Sequence, residues 1–198
     1  MQLDNTRVKN AINWWRYAKD FAKKPDEYGA FFAAWIALII LTKDYEAQYC
    51  SNLSRKPGDK QSVECFFSRG GELILSAIHD SKLAENRSRL SNRHGGEIIR
   101  NVQQDRHSKK SLVTLAQIWN KGLSDNFNEL IGVRELLLQV RNGLFHGGKM
   151  YNDDATNREN DDRQLLSDLN PILFKIVESI LQQPGPHLEL LSASPTLD

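Results

Sequence analysis

The chain has 198 residues, of which 40% are hydrophobic and 26% are charged, and its formal net charge is +1. These values are typical of a folded protein with a buried core, and they exclude a disordered or strongly basic chain. Because the net charge is nearly zero, any nucleic-acid site must be a local positive patch. We expect one helical domain over residues 1–183 and a C-terminal tail over residues 184–198.

The two cysteines, Cys50 and Cys65, do not have the spacing of a metal site. We expect both to be free thiols in a reducing cytoplasm. The polar start of the chain is unlike a secretory signal, and its most apolar stretch, residues 31–41, is about half as long as a membrane-spanning helix. The sequence therefore predicts a cytoplasmic protein with no membrane contact, no metal and no cofactor.

Apolar residues recur at helical spacing along the first part of the chain. They predict a first helix over residues 5–24 and a second that begins at Pro25 and ends near residue 48. The middle of the second helix is apolar on all sides, which is typical of a buried central helix. A third helix is predicted over residues 62–79, and the glycine pair Gly70-Gly71 in its middle indicates a kink or a close helix contact.

The middle of the chain is its least regular part. Residues 80–110 hold eight basic and four acidic side chains, so this segment is clearly positive. A short helix is predicted over residues 112–119 and a longer one over residues 125–145, which a pair of glycines ends. Residues 151–162 are polar and predict an exposed loop. A last helix follows, and Pro171 marks either its start or a kink within it.

No stretch of the chain alternates apolar and polar residues as a half-buried strand does. We therefore predict an all-α fold, a bundle of about five to seven helices. The four tryptophans, Trp14, Trp15, Trp35 and Trp119, could stack on nucleic-acid bases where they are exposed. Of these, Trp15 and Trp35 fit apolar helix faces and are assigned to the core.

The helix over residues 125–145 leads into the sequence RNGLFH at positions 141–146. An arginine can hold a phosphate by two parallel hydrogen bonds, and a histidine can transfer a proton near neutral pH. Together they can cut RNA without a metal ion. A rotation of about 100° per residue places Arg141 in the apolar stripe of the helix and His146 about 140° away from it. The two side chains meet only if the helix unwinds near Gly143 or if a second copy completes the site.

The motif is followed directly by Gly147, Gly148 and Lys149. The whole run resembles the motif of the HEPN superfamily, which consists of helical domains, many of them dimeric, metal-independent ribonucleases of toxin–antitoxin and defence systems. The specific likeness covers about residues 140–149, and a looser likeness extends to the aromatic and aliphatic residues 31–38. The resemblance implies an HEPN-like bundle, a homodimer with the motif at its interface, an RNA substrate and an antitoxin protein as a partner.

The resemblance also implies roles for single residues. Arg141 would stabilise the charge on the phosphoryl oxygens, His146 would act as a general acid or base, and Asn142 would orient His146 or hold a phosphate. Lys149 would add a positive charge beside the phosphate, and Arg93, in a turn of the positive segment, is a further candidate for binding RNA. The expected products carry a 2′,3′-cyclic phosphate and a 5′-hydroxyl.

Two other interpretations of these residues stay open. One is a non-catalytic HEPN-like module that binds RNA, a nucleotide or a protein partner, which the near-neutral charge favours. The other is a structural helical protein in which Arg141 pairs with a glutamate and His146 caps the helix. In one subgroup of the superfamily, AMP is attached to a tyrosine two residues after the histidine. This chain has Gly148 there, so we do not expect that regulation.

Overall fold

The computed structural model of the chain describes residues 5–49, 58–92, 126–146 and 155–183. The regular structure of these residues is helical throughout and contains no strand, which confirms the predicted all-α fold. The described part holds seven α-helices, which agrees with the expected five to seven. None of them is long and apolar enough to cross a membrane. Their bounds are α1 Asn5–Lys23, α2 Glu27–Tyr49, α3 Asp59–Arg69, α4 Gly71–Ile78, α5 Ala84–Asn92, α6 Asn126–His146 and α7 Ala155–Leu181, with a short 3₁₀ helix at Ser81–Leu83.

One compact unit of the fold comprises residues 1–77 and 173–198, and α1 packs along α2 within it. The prediction that α2 is a buried central helix is confirmed. In this helix Trp35 stacks on Phe31, with ring centroids 6.3 Å apart. Trp15, also expected in the core, is only half-buried, and Lys19 Nζ lies 3.7 Å from the centroid of its ring. The buried residues of α2 are Ala30, Phe31, Ala33, Ala34, Trp35, Ala37, Leu38, Ile39, Leu41 and Thr42.

The start of α2 is set by a side-chain cap. The carboxylate of Asp26 accepts a hydrogen bond from the backbone N–H of Gly29, at 2.9 Å, as an N-cap residue does. A β-carbon at Gly29 would lie 2.5 Å from the Asp26 carboxylate and 2.9 Å from the ring of Phe21. A glycine at this position therefore lets the cap and the aromatic ring approach the helix together.

The predicted third helix is broken at Gly70, which separates α3 from α4. The backbone N–H of Gly70 donates to the carbonyl of Phe66 at 2.7 Å, and its own carbonyl accepts from Ile74. A β-carbon at Gly70 would lie 3.0 Å from that Phe66 oxygen, so the glycine permits a close turn of the backbone. The interpretation of the glycine pair as an interruption is confirmed.

Cys65, in α3, is part of a disulfide, so the prediction of a free thiol is wrong there. The other cysteine of the chain, Cys50, lies outside the described residues. Sequence spacing can reveal a metal-binding pattern, but it does not reveal which cysteines approach each other in space. The expected cytoplasmic location rests partly on free thiols, and it stays a prediction.

The other compact unit comprises residues 78–172. It begins in a segment that the sequence predicts as irregular, yet residues 84–92 form α5, so that prediction is wrong for this part. Asp80 starts the turn by accepting a hydrogen bond from the backbone N–H of Lys82 at 2.9 Å. Leu83 and Leu90, seven residues apart, are both buried and hold the segment as a helix. Residues 93–110 and the predicted helix over residues 112–119 lie outside the described residues.

The two long C-terminal helices, α6 and α7, differ in how closely their bounds match the prediction. α6 agrees with the predicted motif helix to within one residue at each end. α7 begins at Ala155, so the loop expected over residues 151–162 is wrong from that residue on. Residues 155–162 are polar, but they contain no glycine or proline, so a polar turn can extend the amphipathic helix that follows.

α7 continues through Pro171, which therefore does not mark its start. The two compact units meet in sequence within this helix, between Ile172 and Leu173. The single domain over residues 1–183 stays a prediction, and the predicted tail over residues 184–198 lies outside the described residues.

Candidate functional site

α6 carries the motif and is anchored by apolar side chains on several of its sides. The buried residues are spread around much of the helix, so packing fixes both its position and its rotation. Arg141 follows them directly and is half-buried. The buried apolar residues of α6 are Leu130, Val133, Leu136, Leu137, Leu138 and Val140.

Arg141 and Asn142 are brought together by the structure. The Nη1 of Arg141 donates a hydrogen bond to the side-chain oxygen of Asn142, at 2.9 Å. The amide oxygen is neutral, so this bond positions the guanidinium without cancelling its charge. Asn142 thus orients the arginine of the motif, a role that the sequence did not suggest.

α6 carries a second arginine, Arg134, before the motif. Arg134 lies seven residues before Arg141, and on a regular helix it projects within about 20° of the same direction. Its Nε and Nη2 donate to one carboxylate oxygen of Glu135, at 3.0 and 2.6 Å. Arg134 is therefore held by an anionic neighbour.

The backbone of the motif bears on one of the two ways in which Arg141 and His146 could meet, the unwinding of the helix near Gly143. α6 is helical through Gly143 and ends at His146, so the helix does not unwind within the motif. On a continuous helix the two residues lie about 7.5 Å apart along the axis and project about 140° apart. Within one copy, the backbone positions of residues 141 and 146 therefore lie on different sides of the helix.

The other candidate residues lie partly or wholly outside the described part of the chain. The backbone of His146 is the end of α6, but its side chain lies outside the described part of the chain. Lys149 and Arg93 lie outside the described residues altogether. Of the predicted site, the structure brings together Arg141 and Asn142 and leaves the other contributions as predictions.

A homodimer with the motif at its interface would contact the partner through α6, whose sequence is rich in apolar residues. The structure buries six of them within a single chain, so these six do not form an exposed face for a partner. Among the side chains described at the motif end of α6, those of Arg141, Asn142 and the half-buried Leu144 are accessible. Dimerisation stays a prediction.

A half-buried ion pair in the same unit was missed from the sequence. The carboxylate of Asp168 in α7 is almost fully buried, and it accepts a hydrogen bond from Nε of Arg89 in α5 at 2.6 Å. Arg89 also pairs with Glu85, one helical turn earlier. The sequence does indicate that Asp168 is partly buried, because it lies three residues after Leu165 and so at the edge of the apolar face of α7.

The hydrogen bond with Asp168 raises the pKa of Arg89 above its ordinary value, while desolvation acts in the opposite direction. A pKa that is raised in the folded state means that the charged form of Arg89 stabilises the fold. This contribution is present throughout the neutral range and is lost only in strong alkali. The pair therefore stabilises the fold at neutral pH and does not act as a switch there.

Replacing Asp168 by alanine should lower the melting temperature by on the order of 5 °C, because it removes a buried group and leaves Arg89 without its internal partner. The matched control is Glu85→Ala, which removes the exposed carboxylate from the same arginine and should change the melting temperature by no more than about 1 °C. Equal effects of the two variants in thermal denaturation would show that the half-buried pair has no special weight.

Comparisons of the chain with family models, with curated proteins and with solved structures found no significant match. The likeness to the HEPN superfamily therefore rests on about residues 140–149, on the looser likeness of residues 31–38 and on the helical character of the chain. What this chain does must be argued from the chemistry of Arg141, Asn142 and His146 on the helix that carries them.

Proposed function

We propose that this chain is a metal-independent endoribonuclease of HEPN type, of the kind that acts in toxin–antitoxin or defence systems. The observation that supports it most is the state of Arg141. Its guanidinium is half-buried on a well-anchored helix and is positioned by the neutral side chain of Asn142. Such a group is suited to binding the non-bridging oxygens of a phosphate, where negative charge develops during cleavage.

In the proposed reaction, a 2′-hydroxyl of the RNA attacks the adjacent phosphorus and its proton passes to water. The bond from phosphorus to the 5′-oxygen breaks, and His146 donates a proton to that leaving oxygen as a general acid. The end of α6 suits this role, because the negative end of a helix favours the protonated imidazole. The products are a 2′,3′-cyclic phosphate and a 5′-hydroxyl.

The site is completed by a second copy of the chain. Residues 141 and 146 lie on different sides of a helix that does not unwind, which favours a site shared between two copies over a site within one copy. A two-fold axis near the motif would place Arg141 of one copy opposite His146 of the partner subunit. The proposed active form is thus a homodimer with composite sites.

The direct test is cleavage of a structured RNA by the purified chain in the presence of EDTA. We expect cleavage that survives EDTA and leaves 2′,3′-cyclic phosphate ends, detected by end-specific labelling. RNA binding without cleavage would favour the non-catalytic module, and neither binding nor cleavage would overturn both interpretations.

The proposal has consequences for partners and location. A ribonuclease of this kind acts where RNA is present, which is the cytoplasm, and an antitoxin protein would hold it inactive. Expression of the chain alone should then slow cell growth, and the His146→Ala variant should not.

A further inference from the structure

α1 has an exposed face that carries large aromatic side chains. Trp14, Tyr17 and Phe21 are 37%, 55% and 36% exposed. Their spacing of three and four residues places them within about 60° of one another around the helix, over a length of about 10 Å. The rings of Trp14 and Tyr17 meet edge to face, with centroids 5.8 Å apart. These three residues form one surface feature, the aromatic stripe.

A line of basic side chains runs along the same helix. Lys9, Arg16 and Lys23 lie seven residues apart, so they project in similar directions, about 80–120° around the helix from Tyr17. α1 holds five basic residues and one acidic residue, Asp20, whose carboxylate is 3.1 Å from Lys23 Nζ. Five positive charges and one negative charge give the helix a formal charge of +4, whereas the whole chain has +1.

We infer that this face of α1 binds a single-stranded nucleic acid. Bases stack on exposed aromatic rings, and lysine and arginine side chains hold the phosphates, in proteins that bind single strands without reading their sequence. The aromatic stripe and the basic line offer these two kinds of contact side by side. A base in a duplex is already stacked on its neighbours, so this surface favours single strands.

Charge and side-chain type both favour this partner. A strongly positive helix on a nearly neutral chain attracts a polyanion locally. A helix that inserts into a membrane surface typically adds large aliphatic side chains to its aromatic ones. In the described part of the chain, the exposed large hydrophobic residues are the three aromatic residues of the stripe. The surface is therefore better suited to bases than to acyl chains.

This inference does not depend on the proposed cleavage. It uses neither Arg141 nor His146, and it can be measured with a deoxythymidine oligonucleotide. Such a strand lacks the 2′-hydroxyl that the proposed reaction needs, so it is not cut. Absence of binding and absence of cleavage are then separate results.

The test is fluorescence anisotropy of a labelled single strand of about 15 deoxythymidines, titrated with the full chain. We expect micromolar binding that weakens as salt increases. Trp14→Ala and Tyr17→Ala should each weaken binding by about 5- to 150-fold, the range measured for loss of one stacked base. Trp14→Phe should retain binding to within about twofold, because it keeps an aromatic face.

A charge-reversal pair tests the basic line. Lys9→Glu should weaken binding and flatten the salt dependence, whereas Lys60→Glu on α3, also exposed, makes the same change in net charge and should have little effect. All substituted side chains are accessible, and unchanged melting temperatures would show that the variants fold.

Several results would overturn the inference. They are absence of binding at micromolar concentrations, equal affinity for duplex DNA, and unchanged binding in both Trp14→Ala and Tyr17→Ala. Binding to phosphatidylserine vesicles without binding to the oligonucleotide would assign the face to a membrane surface. A monomer–dimer equilibrium that is lost in Trp14→Ala, again without oligonucleotide binding, would assign it to a second copy of the chain.

Discussion

His146→Ala should lower the rate of RNA cleavage by about 10²- to 10⁴-fold, because the leaving 5′-oxygen then departs without a general acid. The measurement is the initial rate of cleavage of a defined RNA in EDTA. His79→Ala is the matched control. His79 is exposed and contacts the side chain of Arg87 at 3.1 Å, so its loss should leave the rate unchanged.

Arg141→Ala tests the other half of the same site and should lower the rate by about 10²- to 10³-fold, because the phosphoryl charge loses its partner. Arg141→Lys should restore little, since an ammonium cannot make two parallel hydrogen bonds. The control is Arg134→Ala on the same helix, which removes an arginine paired with Glu135. Equal losses from Arg141→Ala and Arg134→Ala would indicate a structural role for both arginines. Cleavage that survives both His146→Ala and Arg141→Ala contradicts the proposed function.

Mixing the inactive Arg141→Ala and His146→Ala variants should restore cleavage. In a mixed dimer with composite sites, one site receives a native Arg141 and a native His146, and the other receives neither. Random exchange makes half of the dimers mixed, so about a quarter of the native activity should return. The two variants are unfolded together, refolded together and assayed at the total concentration of the native protein.

The control for this experiment is each variant refolded alone, which should stay inactive. If Arg141 and His146 of one copy act together, the mixture recovers no activity although both single variants are inactive. That outcome would overturn the composite site while leaving the ribonuclease proposal in place. A monomer in light scattering at micromolar concentration would overturn the dimer directly.

Local sequence predicts the parts of the fold that depend on neighbouring residues. The all-α class, the bounds of α1, α2 and α6, and the interruption at Gly70 follow from helical spacing and from the backbone properties of glycine. The motif at residues 141–146 is also recognisable from local sequence alone. Residue spacing also showed that Arg141 and His146 do not face each other on a regular helix.

The sequence predicts two helical segments as irregular because many of their residues are polar or charged. The charges of residues 80–110 hid the burial of Leu83 and Leu90, which makes α5 a helix. The polar residues 155–162 predicted a loop, although nothing in them ends a helix and α7 extends through them. In the first segment two buried leucines favour the helix, and in the second the absence of glycine and proline lets the helix extend.

By itself, the sequence determined that the chain is helical, where its longest helices lie and which residues could cut RNA. Only the tertiary structure decided that Asp168 meets Arg89, 79 residues away, that the apolar side of α6 is used within one chain, and that the aromatic side chains of α1 remain exposed. The physical reason is the distance along the chain over which each kind of interaction acts. Backbone preferences act over a few residues, whereas burial and pairing depend on which distant segments pack together.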